Sequence, residues 1–403
     1  MEDVLAAQRR YFDSGATRPL RFRREMLTRL ELALTRWEGE LLEALKADLN
    51  KSPYEGYMSE LGPTLAELRF ARGHLKKWAR PVRHPAPLSQ FPSVGTVYRE
   101  PYGVSLILGV GGGSVMDCCK AVSLAAVSKV DVWENFWAKP GVIDFEPLPL
   151  CIVVTASGTG SECNGGAVIT NEALKIKTGR DYPQCNPRFA MLDPTYTYSV
   201  PAGQMISGAF DTLSHIMETY FGEPNEDNVS DSISEALMKS VIRNLRAAIK
   251  NPEDYDARAN LMWCATMAEN RIIKLGKKPD FECHAIEHQL GAYTDCNHGR
   301  GLAVIHPVYY RHIYKYGLPK FVRFAQEVWG IERGTKSDEE LAAAGVEALA
   351  AFIREVGLPT TLRELGMTDK AALKEIADSC GISAGSYKRM THEEILEIFE
   401  ECF

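Results

Sequence analysis

The 403 residues hold 46 Lys and Arg against 53 Asp and Glu, a net charge of −7, with 45% hydrophobic and 25% charged residues. These values exclude a disordered or collagen-like chain, and the acidic balance argues against a general nucleic-acid or anionic-membrane binder. The longest apolar runs, Val104–Val110 and Leu148–Val154, are too short to span a bilayer, and the opening MEDVLAAQRRYF has no signal-peptide pattern, so a cytoplasmic protein is expected.

From Val4 to about Lys77 the pattern is helical, with Phe22, Met26, Leu27, Leu30, Leu34 and Trp37 forming one apolar stripe. Pro81–Pro92 reads as a proline-rich connector. The run VSLILGV at Val104–Val110 suits a strand buried on both faces, and the glycine turn GGGS after it opens a helix of small and apolar residues. A second strand, LCIVVTA, ends in a Ser/Thr/Gly loop. Beyond Pro201 the pattern is almost wholly helical, with segments at Gly203–Tyr220, Val229–Ile249, Asp256–Asn270, Asp338–Val356 and Thr391–Cys402. The expected fold class is α/β plus all-α. A helical segment spans 1–103, a partial Rossmann-like nucleotide domain 104–200, and an all-helical domain 201–403.

Two shifts along the chain accompany this division. Residues 1–100 contain 17 basic and 13 acidic residues, leaving 29 and 40 for the remainder, and all ten cysteines lie between Cys118 and Cys402. With no C-x-x-C pair and no secretory pattern, these cysteines read as reduced thiols rather than a disulfide framework.

The glycine loop at Gly109–Ser114 places bare N–H groups at a helix start, where phosphate binds. The loop Thr155–Glu162 follows the other strand, so both loops meet at the carboxyl edge of one sheet, the usual ligand crevice of open α/β sheets. In the helical part Asp211-x-x-x-His215 and His284-x-x-x-His288 each put two side chains on one helix face, and His298 follows. A carboxylate with imidazoles suits Fe(II) or Zn(II). Two chemistries compete for them. His284-Ala-Ile-Glu-His288 formally matches the H-x-x-E-H zinc-peptidase pattern with Glu287 as base, whereas a metal beside a nucleotide cleft points to hydride transfer with Lewis-acid activation of a carbonyl.

The motifs GGGSVMD (Gly111–Asp117), TASGTGSE (Thr155–Glu162), NPRFAMLDPTYTYSVP (Asn186–Pro201), GAFDTLSHIMETYF (Gly208–Phe221) and HAIEHQLGAYTDCNHGRGLA (His284–Ala303) occur in that order. Over about 107–403 the chain thereby resembles the iron-dependent alcohol dehydrogenases, in particular their butanol dehydrogenase and aldehyde reductase branch. The resemblance implies metal ligands Asp211, His215, His284 and His298. It gives His288 a proton-relay role, and places Gly112, Gly113, Ser114, Asp117, Thr155, Asn164 and Lys177 around an NAD(P)H cofactor. It implies Fe2+, with Zn2+ as the other ion such a set accepts, and reversible reduction of an aldehyde to a primary alcohol. A homodimer is compatible with it. No nucleic-acid or membrane partner is expected.

The stretches QRRYFDSGATRPLRFRREML, EALKADLNKSPYEGYMSELG and REPYGVSLIL resemble instead the N-terminus of class-3-like aldehyde dehydrogenases, over 1–108. The chain therefore reads as a composite, and the family's usual leading βαβ units are expected to be missing. The alternative reading is a metal-binding fusion protein with an incomplete cofactor site and little or no activity.

Overall fold

The computed structural model describes residues 10–49, 51–85, 94–98, 107–382 and 387–403. The chain divides into two compact units, residues 1–105 and 106–403.

The first unit contains helices α1 (Leu20–Arg36), α2 (Glu38–Leu49) and α3 (Gly62–Trp78) and a ribbon of β1 (Val82–Pro85) and β2 (Val94–Val97). Glu31 of α1 joins Arg69 of α3 at 2.7 Å and also pairs with Arg72. Burial is sparse: Leu61 and Leu65 are buried, but no residue of α1 is, and Leu30 and Trp37 of its apolar stripe are exposed. The stretch expected to be a connector is corrected in its described parts, because Val82–Pro85 pairs antiparallel with Val94–Val97. Proline is tolerated there, since a strand end in a two-stranded ribbon leaves its N–H position outside the ladder.

The second unit begins with β3 (Ile107–Gly111), so the first three residues of the expected strand, 104–106, lie outside the described residues. Helix α4 (Gly113–Ala125), β4 (Leu150–Val154), an antiparallel ribbon of β5 (Gly166–Asn171) and β6 (Ile176–Asp181), and β7 (Phe189–Leu192) follow. Strands β3, β4 and β7 form a parallel sheet in that order. On one face Leu150, Ile152 and Val154 form a buried cluster with Met116 and Met262. On the other face Leu108, Cys151 and Phe189 align in one row and Val110, Val153 and Met191 in the next. Leu108, Val110, Phe189 and Met191 are each about half exposed. A parallel sheet is normally covered on both faces; on this one the central Cys151 is buried, while the two outer strands are half open among the described residues.

The helices are α5 (Ala202–Tyr220), α6 (Val229–Lys250), α7 (Tyr255–Glu269), α8 (Glu282–Thr294), α9 (His298–Ile313), α10 (Leu318–Arg323), α11 (Asp338–Glu355), α12 (Ala372–Ser379) and α13 (His392–Cys402). Their main core includes Phe221 stacked on Phe321 at 4.0 Å, with Tyr310 and Phe324 edge-on to Phe221. Helix α5 is buried along nearly its whole length, so its polar residues must find partners inside. Asp231 on α6 takes two buried lysines: Lys277 reaches Oδ1 at 2.6 Å and Lys320 reaches Oδ2. The same ammonium groups donate to the carbonyls of Tyr220 and Gly222, and of Pro224, respectively. Among the described residues no helix is long and apolar enough to cross a membrane.

Candidate metal centre and nucleotide cleft

Helix α5 carries Asp211, His215 and Glu218 on one face; α8 brings His284, Glu287 and His288; and the first residue of α9 is His298. The start of α9 is set by Asn297, whose side chain accepts the N–H of Arg300. These elements gather three imidazole nitrogens around Oδ1 of Asp211: Nε2 of His298 at 3.5 Å, Nε2 of His284 at 3.7 Å and Nδ1 of His215 at 3.8 Å. Ligand atoms of Asp211, His284 and His298 all lie within 4.8 Å of one another. His215 flanks them, its ring stacked on that of His284 with centroids 4.6 Å apart.

These separations are too long for hydrogen bonds, and Asp211 Oδ1, His215 Nδ1 and His284 Nε2 are buried without a hydrogen-bond partner. Unpaired polar atoms in a protein interior are costly. Ligand atoms about 2.1 Å from a tetrahedral centre stand about 3.4 Å apart, so the 3.5 and 3.7 Å from Asp211 Oδ1 to His298 and His284 suit a cation among these three, with His215 outside the closest set. The residues present therefore fit the metal that the sequence motifs imply.

Carboxylates sit behind two of the rings. Glu218 accepts from Nδ1 of His284 and from the N–H of Cys283 at 2.7 Å. Glu287, with a fully buried side chain, accepts from Nδ1 of His298 and from Lys177 Nζ at 3.3 Å. An ionised carboxylate only accepts, so it fixes a proton on Nδ1 and orients Nε2 toward Asp211, where a cation would take the place of any proton on that nitrogen. Burial opposes ionisation of Asp211, Glu218 and Glu287. The surrounding imidazoles, together with Lys177 for Glu287, outweigh it and hold all three carboxyls below the usual range. Burial likewise works against protonation of His284, but Glu218 and Asp211 raise it to about 10. Of these three carboxylates only Asp211 faces the Nε2 atoms, while Glu218 and Glu287 hold the rings from behind.

This cluster lies in a cleft of about 820 Å³ that also reaches Gly113, Ser114, Asp117, Asn164, Lys177 and His288. At its glycine loop, Gly113 lies so close to Thr159 that a Cβ would meet Thr159 Cγ2 at 2.4 Å, which explains glycine where the two loops cross. Ser114 and the start of α4 face the cleft, where N–H groups and the helix dipole favour an anion. Gly112 and Thr155 are not among the cleft-lining residues. Thr155 gives its N–H to Gly111 at 3.1 Å and so extends the β3–β4 pairing. Asp117 and Asn164 reach the cleft but are already engaged. The Asp117 carboxylate accepts from Ser161 Oγ at 2.6 Å and from Val168 N–H at 2.8 Å. Asn164 accepts from Gly166 N–H at 2.8 Å and from Lys120 Nζ at 3.3 Å. Lys120 is fully buried and also donates to both oxygens of Ser161 at 2.6 Å, locking α4 to the second loop. Lys177, on β6, spends its ammonium on Glu287.

His288 stands 5.4 Å from the His298 ring and 6.0 Å from that of His284, facing the cleft. Burial, with Lys177 and the neighbouring imidazoles adding to it, pushes its pKa well below the ordinary value and favours the neutral ring. Glu287 is occupied by His298 and Lys177, which leaves it unsuited to the general-base role of an H-x-x-E-H peptidase. Sequence reading missed Glu218 and Glu287 as partners of the histidines. Spacing did not reveal them, since Glu218 pairs with His284, 66 residues away, and Glu287 with His298, 11 residues away on the next helix.

Residues 87–194 match the family model described as iron-containing alcohol dehydrogenase, and residues 205–403 match the C-terminal model of the same family. The match reaches back 20 residues beyond the boundary expected at Ile107, so the segment from residue 87 also belongs to the family's pattern. The chain is 36% identical over 304 residues to the NADH-dependent butanol dehydrogenase A of Clostridium acetobutylicum, covering 74% of this chain and 77% of that protein. It is 32% identical over 302 residues to the NADPH-dependent aldehyde reductase YqhD of Escherichia coli, with the same coverage. The crystal structure of an NADH-dependent butanol dehydrogenase A from Thermotoga maritima superposes with a TM-score of 0.70 at 35% identity, covering 74% of this chain and 76% of that one. Ordered motifs, a parallel sheet joined to a helical array that gathers Asp211 and the histidines, and these matches together establish that the chain belongs to the iron-containing alcohol dehydrogenase family.

Proposed function

We propose that this protein is a metal-dependent alcohol dehydrogenase and aldehyde reductase that moves hydride between NAD(P)H and an aldehyde or primary alcohol. Asp211, His215, His284 and His298 hold the metal, Fe2+ in the first instance. The observation that carries this reading is the set of buried, unpartnered polar atoms facing one point on a cleft that also contains a glycine-loop helix start.

When bound, the ion polarises the substrate oxygen and the reduced nicotinamide supplies the hydride. Glu218 and Glu287 keep His284 and His298 turned toward the ion. Ser114 and the first turn of α4 hold the pyrophosphate. His288, neutral and facing the cleft, relays a proton from solvent to the product oxygen, one ring nitrogen taking a proton up as the other gives one away. Val168 and Phe281, which line the cleft, keep bulk water from the reacting carbon.

The test is reduction of butanal by metal-reconstituted protein, with NADH and NADPH offered separately and loss of nicotinamide absorbance followed. Folded, metal-loaded protein that binds either cofactor but reduces no aldehyde would refute the proposal. The half-exposed sheet face favours a second reading, a metal-binding protein whose cofactor site is too incomplete for turnover. It predicts metal uptake without cofactor affinity up to millimolar concentration.

A further inference from the structure

We propose that Phe281 is the specificity-determining residue of the cleft, a fixed aromatic wall that admits unbranched aldehydes and turns away those branched beside the carbonyl. This rests on the function proposed above and concerns how the same site selects its substrate.

Phe281 immediately precedes α8 with φ 59° and ψ 22°, in the left-handed region. A bulky aromatic residue is rarely found there, because its Cβ crowds the backbone, whereas glycine adopts the same conformation without strain. A side chain kept in a conformation it disfavours is a reason to look for what that side chain does. Its ring lines the cleft, 5.3 Å from the His284 ring and 6.2 Å from that of His215. Over one face of the ring Lys274 sets its ammonium 4.6 Å from the centroid. That lysine is itself held by both carboxylate oxygens of Glu269 at 2.8 Å. Backbone conformation and a pinned cation thus fix the ring beside the metal-binding imidazoles. A carbonyl oxygen that reaches the ion must lay its neighbouring carbons against this ring. A flat apolar surface accommodates a methylene there and clashes with a second substituent.

The experiment compares Phe281→Gly, Phe281→Ala and Phe281→Trp in metal-reconstituted protein of measured metal content. The readout is kcat/KM for 2-methylpropanal relative to butanal. Opening the wall should raise that ratio by about tenfold or more in the Gly and Ala variants, and added bulk should lower it in the Trp variant. Melting of the metal-free proteins gives a readout independent of turnover. The Gly variant should melt above the Ala variant, the reverse of the usual order. An unchanged substrate ratio at equal metal content overturns the assignment. So does an Ala variant that melts above the Gly variant, or loss of metal from the substituted proteins, which would make Phe281 a support for the ion. If the unsubstituted, metal-loaded protein reduces no aldehyde at all, it is the proposed function that fails, and this assignment with it.

Discussion

Lys177 and His298 end on the same atom, Oε2 of Glu287, one arriving from the ribbon beside the nucleotide loops and the other from the start of α9. The buried carboxylate therefore joins the β6 side of the cleft to the histidine cluster. Glu287→Gln keeps the shape but offers His298 a weaker acceptor. Metal affinity, measured by chelator competition, should fall about 10- to 100-fold, as is usual when such a partner is lost. Unchanged affinity would show that Nδ1 of His298 needs no carboxylate.

Roles among the histidines separate by metal content. His284→Ala and His298→Ala should each lose most of the bound ion. His288→Ala, which removes a ring facing the cleft, should retain the ion and lower turnover by about 100-fold. Equal metal loss in all three variants, read by elemental analysis, would contradict the separate role of His288.

Cys118 is exposed and lines the cleft beside Gly113 and Ser114. A bound dinucleotide should shield it. Alkylation of Cys118, followed by peptide mass mapping, should slow several-fold at saturating NADH, while ADP-ribose should protect about as well. Labelling at the same rate with and without cofactor would place the pyrophosphate elsewhere.

His306 is fully buried, 2.6 Å from Ser214 Oγ. Burial, helped by His284 and His215 and opposed by Glu218, pushes its pKa down to about 3. An unfolded histidine titrates near 6.5, so between these values the unfolded chain binds more protons than the folded one. The stability His306 contributes is complete above about pH 6.5 and is lost as pH falls toward 3. Melting temperature should therefore drop steadily from pH 7 to pH 4, and the slope should flatten in His306→Gln. Identical slopes would assign acid sensitivity to other groups.

Much of this architecture was legible in the chain. Helical periodicity placed Ala202–Tyr220 and Asp338–Glu355 to within a residue or two, because a long buried or amphipathic helix repeats its signal many times. The parallel pairing of β3 with β4 followed from two apolar runs, each ending in a small-residue loop. The ribbon of β5 and β6 escaped notice, since its partly exposed strands show little alternation of burial. Asp211, His215, His284 and His298 were found from i,i+4 spacing and motif resemblance, but their supporting carboxylates were not. A glutamate on a helix is ordinarily solvated, and only tertiary packing reveals that Glu218 and Glu287 face inward. For the same reason the engagement of Asp117 by Ser161 and Val168 was invisible in the motif that contains it.

The two lysines on Asp231 make that aspartate a single point of failure remote in kind from the chemistry. Neutralising it would leave two ammonium groups in the interior with no carboxylate described against them, their remaining contacts being backbone carbonyls and, for Lys320, the Tyr220 ring at 5.2 Å. An inactive Asp231 variant would therefore report a chain that never assembled, and a mutational survey scored on turnover alone would count a keystone as a catalyst.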